Sequence, residues 1–310
     1  YLVRLTILGN FVSNLKRINQ PMLADRVSDI LSLTGQSLKS LVKLAIQSQQ
    51  PSIKNSDHNG KRLIILRNGP SLADNLANDM DILLANDTLS VNFAANTPEF
   101  ISLRPKYYLL MDPHFFQNPP SDPNVTKLFR NLNNEVDWDM TLYLPVKYSA
   151  TSIGLSNPHI HIENFNTVGI DGFNKLKDIA FDAGRGLPRP RNVLIPSIMA
   201  GIWAGYKEII LLGADHSWLK TLEVNDDNYV VSIQPHFYKD GEEELKRVAT
   251  LYRDIHLHEL LLRFQIAFKS HHEVKRYADA RNIEIYNATP GSYIDAFPRK
   301  DLRTITAYNK

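Results

Sequence analysis

Polar side chains follow several apolar, strand-like stretches of this sequence, at the point where each stretch ends. These residues are Asn68, Asn92, Asp112, Asp215 and Asn287. Asparagine and aspartate side chains offer directed hydrogen-bond donors and acceptors that can bind ribose hydroxyls and the edge of a base. Any one of them alone more often caps a turn. A row of them along one edge of a sheet favours a nucleotide pocket.

Three histidines and a tyrosine could move protons near those strand ends. His216 directly follows Asp215, and His271 lies in Ser270-His271-His272-Glu273, a predicted capping box that opens a last helix to Arg281. His236 and Tyr238 belong to the polar stretch between them. A neutral imidazole can accept a proton from an attacking hydroxyl, and a tyrosine hydroxyl can donate to a departing phosphate. A buried, hydrogen-bonded histidine and a packed tyrosine are the structural alternatives.

The stretch from Leu63 to Leu72 predicts a strand, a glycine turn and a helix in close succession. Leu63–Leu66 is wholly apolar, as strands buried on both faces are. Asn68-Gly69-Pro70 ends the strand, and Ser71 followed by Asp74 has the spacing of a capping box. Such a turn exposes backbone N–H groups at the edge of the sheet, where Gly69 and Ser71 could hold a phosphate. An ordinary turn between a strand and a helix is the alternative.

Strand-like and helix-like patterns alternate from residue 61 onward. Strands are predicted at 63–66, 89–93, 107–111, 141–144, 159–163, 208–213 and 283–286. The alternation predicts an α/β, Rossmann-like fold with a mainly parallel sheet and helices on both faces. Ligands of such sheets bind beyond the carboxyl ends of the strands, where the polar residues and Gly213 fall. The polar stretch at about 216–241 is long for a compact domain and predicts a lid.

The first 50 residues predict a helical extension. Apolar residues recur at helical spacing from Leu23 to Leu31 and again from Leu38 to Ile46, which predicts at least two amphipathic helices. The polar faces are weakly basic, so contact with an anionic membrane surface is one role and packing on the body of the protein is the other. Polar residues at 51–60 predict a linker, and residues 61–310 are expected to form the nucleotide-binding domain.

Composition excludes several classes of function. The 35 basic and 33 acidic residues leave a net charge of +2 without a basic block, which argues against nucleic acid as a partner. The absence of cysteine excludes disulfides and thiolate metal sites. No apolar run approaches the roughly 18 residues of a membrane span. We therefore expect a cytoplasmic protein that could be peripheral on an inner membrane.

Two acidic pairs match a short metal-binding pattern. Asp79-Met80-Asp81 and Asp137-Trp138-Asp139 have the Asp-x-Asp form by which many glycosyltransferases hold a divalent metal and a nucleotide diphosphate. The pattern is common by chance, and solvated surface positions explain both pairs. We predict no metal site.

Several blocks together resemble the bacterial sialyltransferases of glycosyltransferase family 42 and the related 6-hydroxymethylpterin diphosphokinase-like proteins. These blocks are Arg67 to Leu72, Asn92, Gly205-Tyr206-Lys207-Glu208-Ile209 through Gly213 and Asp215, and Ile285-Tyr286-Asn287 with Pro290 and Ser292. The resemblance covers roughly residues 61–298. His216-Ser217-Trp218 replaces the family's aromatic pair, and no histidine stands in the register of the family's base.

The resemblance implies an inverting glycosyltransferase that needs neither a cofactor nor a metal. Its donor would be a CMP-activated nonulosonic or Kdo-type sugar, and its acceptor a surface glycan or lipid-linked glycan. By analogy, Asn68, Gly69 and Ser71 would approach the nucleotide and phosphate, and Asn92 the donor. Two alternatives stay open: a pterin pyrophosphokinase using ATP and magnesium, and a nucleotide-binding scaffold without catalysis.

Overall fold

The fold is built on a parallel sheet, as the alternation of patterns predicts. The computed structural model describes residues 23–231 and 255–307, apart from 59, 118, 119 and 121. Its parallel strands are β1 (Leu63–Leu66), β2 (Asp87–Val91), β3 (Tyr107–Leu109), β4 (Met140–Pro145), β5 (Ile160–Phe165), β6 (Glu208–Leu212) and, after a separate hairpin, β9 (Glu284–Asn287). The hairpin is β7 (Glu223–Val224) with β8 (Val230–Val231).

The order of the strands creates a switch point between β1 and β6. The order across the sheet is β5-β4-β3-β2-β1-β6-β9. Strands β2 to β5 lie on one side of β1, and β6 and β9, which come later in the chain, lie on its other side. Leu63 to Leu66 pair with β2 on one side and with β6 on the other. Such a reversal opens a crevice at the carboxyl ends of the two strands, which is where doubly wound folds bind ligands.

Helices cover both faces of the sheet. They are α1 (Leu23–Gln47), α2 (Leu72–Asn78), α3 (Met80–Leu84), α4 (Pro98–Leu103), α5 (Pro123–Asn134), α6 (Asn174–Asp182), α7 (Leu194–Ala204), α8 (Leu257–Asp279) and α9 (Leu302–Ala307). Leu63 and Ile65 pack in one core with residues of α7 and α8. Ile64 and Leu66 point to the other face and pack with α2 and α9. The predicted Rossmann-like class is confirmed.

The prediction of two separate N-terminal helices is wrong for the described part of the extension. α1 is one helix of 25 residues. Gly35 does not interrupt it, because a single helical glycine costs only about 1 kcal/mol. The helix contacts the body through small side chains: Ser40 Oγ donates to the carbonyl of Asp171, and Ser37 Oγ accepts from the amide of Phe173. The apolar stripe that includes Leu31, Leu38 and Ile46 faces solvent instead.

The predicted linker lies against the body at the amino edge of the sheet. The amide of Ser56 donates to the carbonyl of Ala204, and the ring of His58 stacks on Tyr206 at 3.7 Å. The Tyr206 hydroxyl and the Lys106 amine, 2.7 Å away, both donate to buried Asp87. The Gly205 to Ile209 block of the family resemblance therefore starts at the edge opposite to the switch point, where it has a structural role.

A second predicted helix start is also wrong. Ser270 and Glu273 have the spacing of a capping box, but both lie inside α8, which runs without a break from Leu257 to Asp279. At the true start, the backbone amide of His256 donates to the carboxylate of Glu259. His271 is consequently a mid-helix residue on the buried face. Among the described residues, no helix combines the length and hydrophobicity that a membrane crossing requires.

Candidate functional site

The two loops at the switch point pack directly against each other through glycines. The amide of Gly69 donates to the carbonyl of Gly213 at 3.0 Å. A Cβ atom on Gly69 would lie 1.9 Å from Asp215 Oδ2, and one on Gly213 would lie 1.8 Å from the carbonyl oxygen of Arg67. Only glycine permits this approach. The Gly69 amide is thus already paired, which corrects the prediction that it stands open for a phosphate.

Ser71 joins the two loops and does not cap its helix. Its hydroxyl donates to Asp215 Oδ2 at 2.9 Å, and no side-chain capping bond forms at the start of α2. The predicted capping box is therefore wrong. The Ser71 hydroxyl and the Asp215 carboxylate instead fix the β1 turn to the β6 turn.

Asn68 lies buried on the face of the sheet that carries α2. Its Nδ2 donates to the carbonyl of Val91 at 3.2 Å, while its buried Oδ1 has no hydrogen-bond partner in the described part of the chain. The cavity beside it has a volume of about 20 Å³. That space suits a group of the size of a water molecule, so a nucleotide would need this corner to open.

Two predicted histidines meet on the other face of the sheet. The rings of His216, after β6, and His271, on α8, have centroids 5.1 Å apart at 77°. Both side chains are buried. Aromatic rings surround them: Trp218 lies 4.5 Å from His216, and Phe297 lies 6.0 Å from His271.

Burial and a neighbouring arginine keep both histidines neutral. Burial lowers the pKa of His271 to about 3, with the charges of Arg67 and His272 acting in the same direction and Asp295 opposing them. Burial likewise lowers the pKa of His216 well below its usual value. The charges of Arg67 and His271 add to this shift, and the backbone of Ala214 opposes it. An anion bound here would raise both pKa values.

His271 departs from the usual pattern of buried histidines. Neither of its ring nitrogens has a hydrogen-bond partner among the residues that the structure describes. Buried polar atoms in native proteins are nearly always paired, because an unpaired one costs roughly 1–3 kcal/mol. This unpaired imidazole has the chemistry to accept a proton from a ligand.

Arg67 belongs to this site, although the sequence did not predict it as a site residue. Its guanidinium carbon lies 5.5 Å from the centre of the Trp218 ring, and its charge acts on both histidines. The available signal was its position as the first residue after β1, in the block that carries the family resemblance. A fixed cation beside two neutral imidazoles suits an anionic group such as a phosphate.

The loop after β6 covers this histidine pair. Trp218 and Val230 pack with Leu260 and Phe264 of α8. The part of the predicted lid that the structure describes, as far as residue 231, packs next to the histidine pair, and its opening and closing stay a prediction. His236 and Tyr238 lie outside the described residues, and their roles remain predictions.

The other predicted nucleotide contacts do not gather around the histidines. Asn92 is half-buried at the end of β2 with φ 54°, and its carbonyl accepts a hydrogen bond from Tyr108. Asp112 is exposed and accepts from the amide of His114 at 2.9 Å, which is a capping role. Asn287 is buried and uses both ends of its amide on Ser292, Ile294 and Thr289, so it shapes its own loop.

The acidic pairs have structural partners. Asp79 accepts from Arg303 at 2.7 Å, and Asp137 pairs with Arg104 at 2.8 Å. Within the described ranges, no group of three or more His, Cys, Asp or Glu side chains is arranged to hold a metal ion.

Comparison with known proteins gives distant structural similarity and no family. No family model matches the chain, and no curated protein does. Among solved structures, the chain is similar to the "MAf glycosyltransferase from Magnetospirillum magneticum AMB-1", with 11% identity, a TM-score of 0.45 and coverage of 88% of this chain. The match spans 39% of that protein's chain.

Proposed function

We propose that this protein is an inverting glycosyltransferase that moves a nonulosonic or Kdo-type sugar from a CMP donor to a glycan or lipid-linked glycan. One observation at the switch point carries the proposal. His216 and His271 are buried and neutral, and the positive charge of Arg67 acts on both of them. This arrangement offers both things that the reaction needs, a base and a cation for the departing phosphate. The family-like blocks at Arg67 to Leu72 and at Gly213 to Asp215 support the donor class.

The donor would bind across the carboxyl ends of β1, β2 and β6. Asn68 Oδ1 is a buried acceptor without a partner in the described chain, and it suits a donor group of the nucleotide. Asn92, at the end of the neighbouring strand, would contact the donor. Arg67 would pair with the phosphate, where a charge-assisted bond gains most as negative charge develops.

One histidine would then act as the base. The acceptor oxygen attacks the anomeric carbon, and its proton passes to the imidazole as the new glycosidic bond forms. The bond between the anomeric carbon and the phosphate oxygen breaks on the opposite face, and CMP leaves with the electron pair. The bound phosphate raises the pKa of the histidine, so that an imidazole too weakly basic in the empty site becomes a competent base.

Access to this site requires movement of the covering loop. Trp218 must leave the space above Arg67 for the phosphate to enter, and the corner at Asn68 must widen beyond its cavity of about 20 Å³. Such lids exclude water once the donor is bound. His236 and Tyr238, in the rest of the predicted lid, would face the donor in that state. We propose a cytoplasmic location, with any contact to a membrane surface made through residues 1–50.

Thermal shift with added ligands separates this function from its alternatives, because a ligand that binds only the folded state raises the unfolding temperature. CMP should stabilise the protein in the presence of EDTA, and a CMP-sugar should be hydrolysed or transferred. Stabilisation by ATP only with magnesium would support a pyrophosphokinase instead. CMP binding without any turnover of CMP-sugars would support a scaffold. No observation on the described residues favours either alternative.

A further inference from the structure

A second candidate site lies away from the switch point, in a groove between α1, the loop at 169–191 and α8. The groove has a volume of about 540 Å³, which is in the range of small-molecule pockets. Its charged lining consists of Lys39, Lys43, Lys177, Arg189, Arg191 and Lys269, with the carboxylates Asp171 and Glu273. We call it the α1–α8 groove.

Among the described residues, the groove is lined by more cations than carboxylates. Lys177 pairs with Glu273 at 2.6 Å, and Arg189 lies 3.7 Å from Asp171. In the part of the chain that the structure describes, no carboxylate lies within ion-pair distance of the other four cations, which are Lys39, Lys43, Arg191 and Lys269. Four positive charges from three separate elements thus face one groove.

The walls of the groove are held in place by specific contacts. Ser40 Oγ and the backbone of Asp171 exchange hydrogen bonds of 2.8 and 3.0 Å, which anchor α1 to the loop. A Cβ on Gly172 would lie 2.3 Å from Ser37 Oγ, so glycine allows the helix to approach this closely. On the other wall, Ser270 Oγ donates to the carbonyl of Arg189 at 3.0 Å. These contacts preorganise the cations.

Arg191 lies among other positive charges. Burial lowers its pKa from the usual range, and the charges of Arg189 and Arg263 add to that shift. Concentrated positive charge of this kind is relieved by binding an anion. Arginine favours phosphate, because the guanidinium offers two parallel donors to its oxygens.

We propose that the α1–α8 groove is a binding site for a ligand that carries a phosphate group. The cations of α1, the loop and α8 hold the phosphate, and apolar side chains such as Leu33, Ile170 and Ile266 line the remaining space for the rest of the ligand. The site is separate from the histidine pair and does not depend on the transfer reaction. A soluble phosphate ester and a lipid headgroup share this chemistry.

The test is calorimetric titration of the full chain with inorganic pyrophosphate. We expect binding that weakens as salt increases and that falls at least tenfold in Lys39→Gln and in Arg191→Gln, because each removes a charge-assisted contact. Lys54→Gln, which removes an exposed charge outside the groove, is the matched control and should bind as the wild type does. Circular dichroism of each variant confirms the fold.

A second arm identifies the source of the phosphate. Flotation with phosphatidic acid vesicles, but not with phosphatidylcholine vesicles, that is lost in Arg191→Gln would support a lipid headgroup. Pyrophosphate binding without flotation would support a soluble ester. The proposal would be overturned if neither probe bound, if both groove variants bound pyrophosphate as tightly as the wild type, or if CMP displaced pyrophosphate. A protein that binds pyrophosphate in the groove but never binds CMP would refute only the transferase function.

Discussion

His216 and His271 face each other across the carboxyl edge of the sheet with ring centroids 5.1 Å apart, although 54 residues separate them in the sequence. One comes from the turn after β6 and the other from the middle of α8. Both are fully buried and neutral. This pair couples the stability of the protein to pH and supplies the base in the proposed reaction.

The first prediction concerns acid sensitivity. In the unfolded chain His271 has a pKa of about 6.5, whereas in the folded protein burial lowers its pKa to about 3. The unfolded state therefore binds the extra proton between these values, and stability falls as pH decreases from 6.5 toward 3. Each such histidine makes the free energy of unfolding decrease by about 1.4 kcal/mol for every pH unit that the pH falls in that range. Urea unfolding at pH 7, 6 and 5 measures it.

Replacement of the histidine should flatten this dependence. In His271→Leu, which suits the apolar surroundings, the slope between pH 6 and 5 should decrease by about 1 kcal/mol per unit. The exposed His159 provides the control, since His159→Asn should keep the wild-type slope. An unchanged slope in His271→Leu would mean that the buried ring is already protonated in the folded protein.

The second prediction concerns the contact between the two glycine turns. Gly69→Ala and Gly213→Ala should each lower the free energy of unfolding by at least about 2 kcal/mol, because the new methyl group meets backbone or carboxylate atoms that cannot all move. Gly35→Ala is the matched control on α1, where a Cβ meets nothing within 4 Å. That change should stabilise by about 0.5–1 kcal/mol. Stability of Gly69→Ala equal to wild type would contradict the described packing.

The third prediction concerns the amino edge of the sheet. Burial opposes ionisation of Asp87, but hydrogen bonds from Lys106 and Tyr206 outweigh it and lower its pKa. Asp87→Asn should cost about 2 kcal/mol at pH 7, since it leaves these donors around a neutral amide. Asp139→Asn, on an exposed carboxylate, should change stability by less than about 0.5 kcal/mol. If Asp87→Asn and Asp139→Asn changed stability equally, the hydrogen bonds around Asp87 would contribute nothing to the free energy of unfolding.

The fourth prediction concerns Arg67 and the donor phosphate. Arg67→Gln should weaken CMP binding about tenfold or more, and it should raise the pKa of His271 because the arginine charge lowers that pKa. Calorimetry with CMP and an NMR titration of the histidine ring measure the two effects. Arg130→Gln, an exposed arginine on α5, should change neither. Undiminished CMP affinity in Arg67→Gln would place the phosphate elsewhere.

The sheet could be predicted from the sequence because its signal is local. Leu63–Leu66 is confirmed to the residue, and β4, β5 and β6 lie within two residues of their predicted bounds. A short apolar run between two polar turns is enough to predict a buried parallel strand, even when the strands beside it are unknown. The strand predicted at 159–163 likewise corresponds to β5, which forms one edge of the sheet.

The helix boundaries that were predicted wrongly depend on tertiary context. Gly35 and Ser270 are local signals for a helix boundary, yet both lie within continuous helices whose packing outweighs the local preference. The meeting of His216 with His271 also could not be derived, because it depends on how α8 crosses the sheet. The sequence identified both histidines as candidates and missed Arg67, whose effect requires the folded distances.

The most direct measurement of the central claim is a crystal structure of the protein with CMP in the presence of EDTA. The account predicts that the loop carrying Trp218 moves away, that the phosphate binds Arg67 within reach of His216 or His271, and that the nucleotide approaches Asn68 and Asn92. CMP bound at another surface, with the Asn68 corner and the histidine pair still closed, would contradict the proposed transferase.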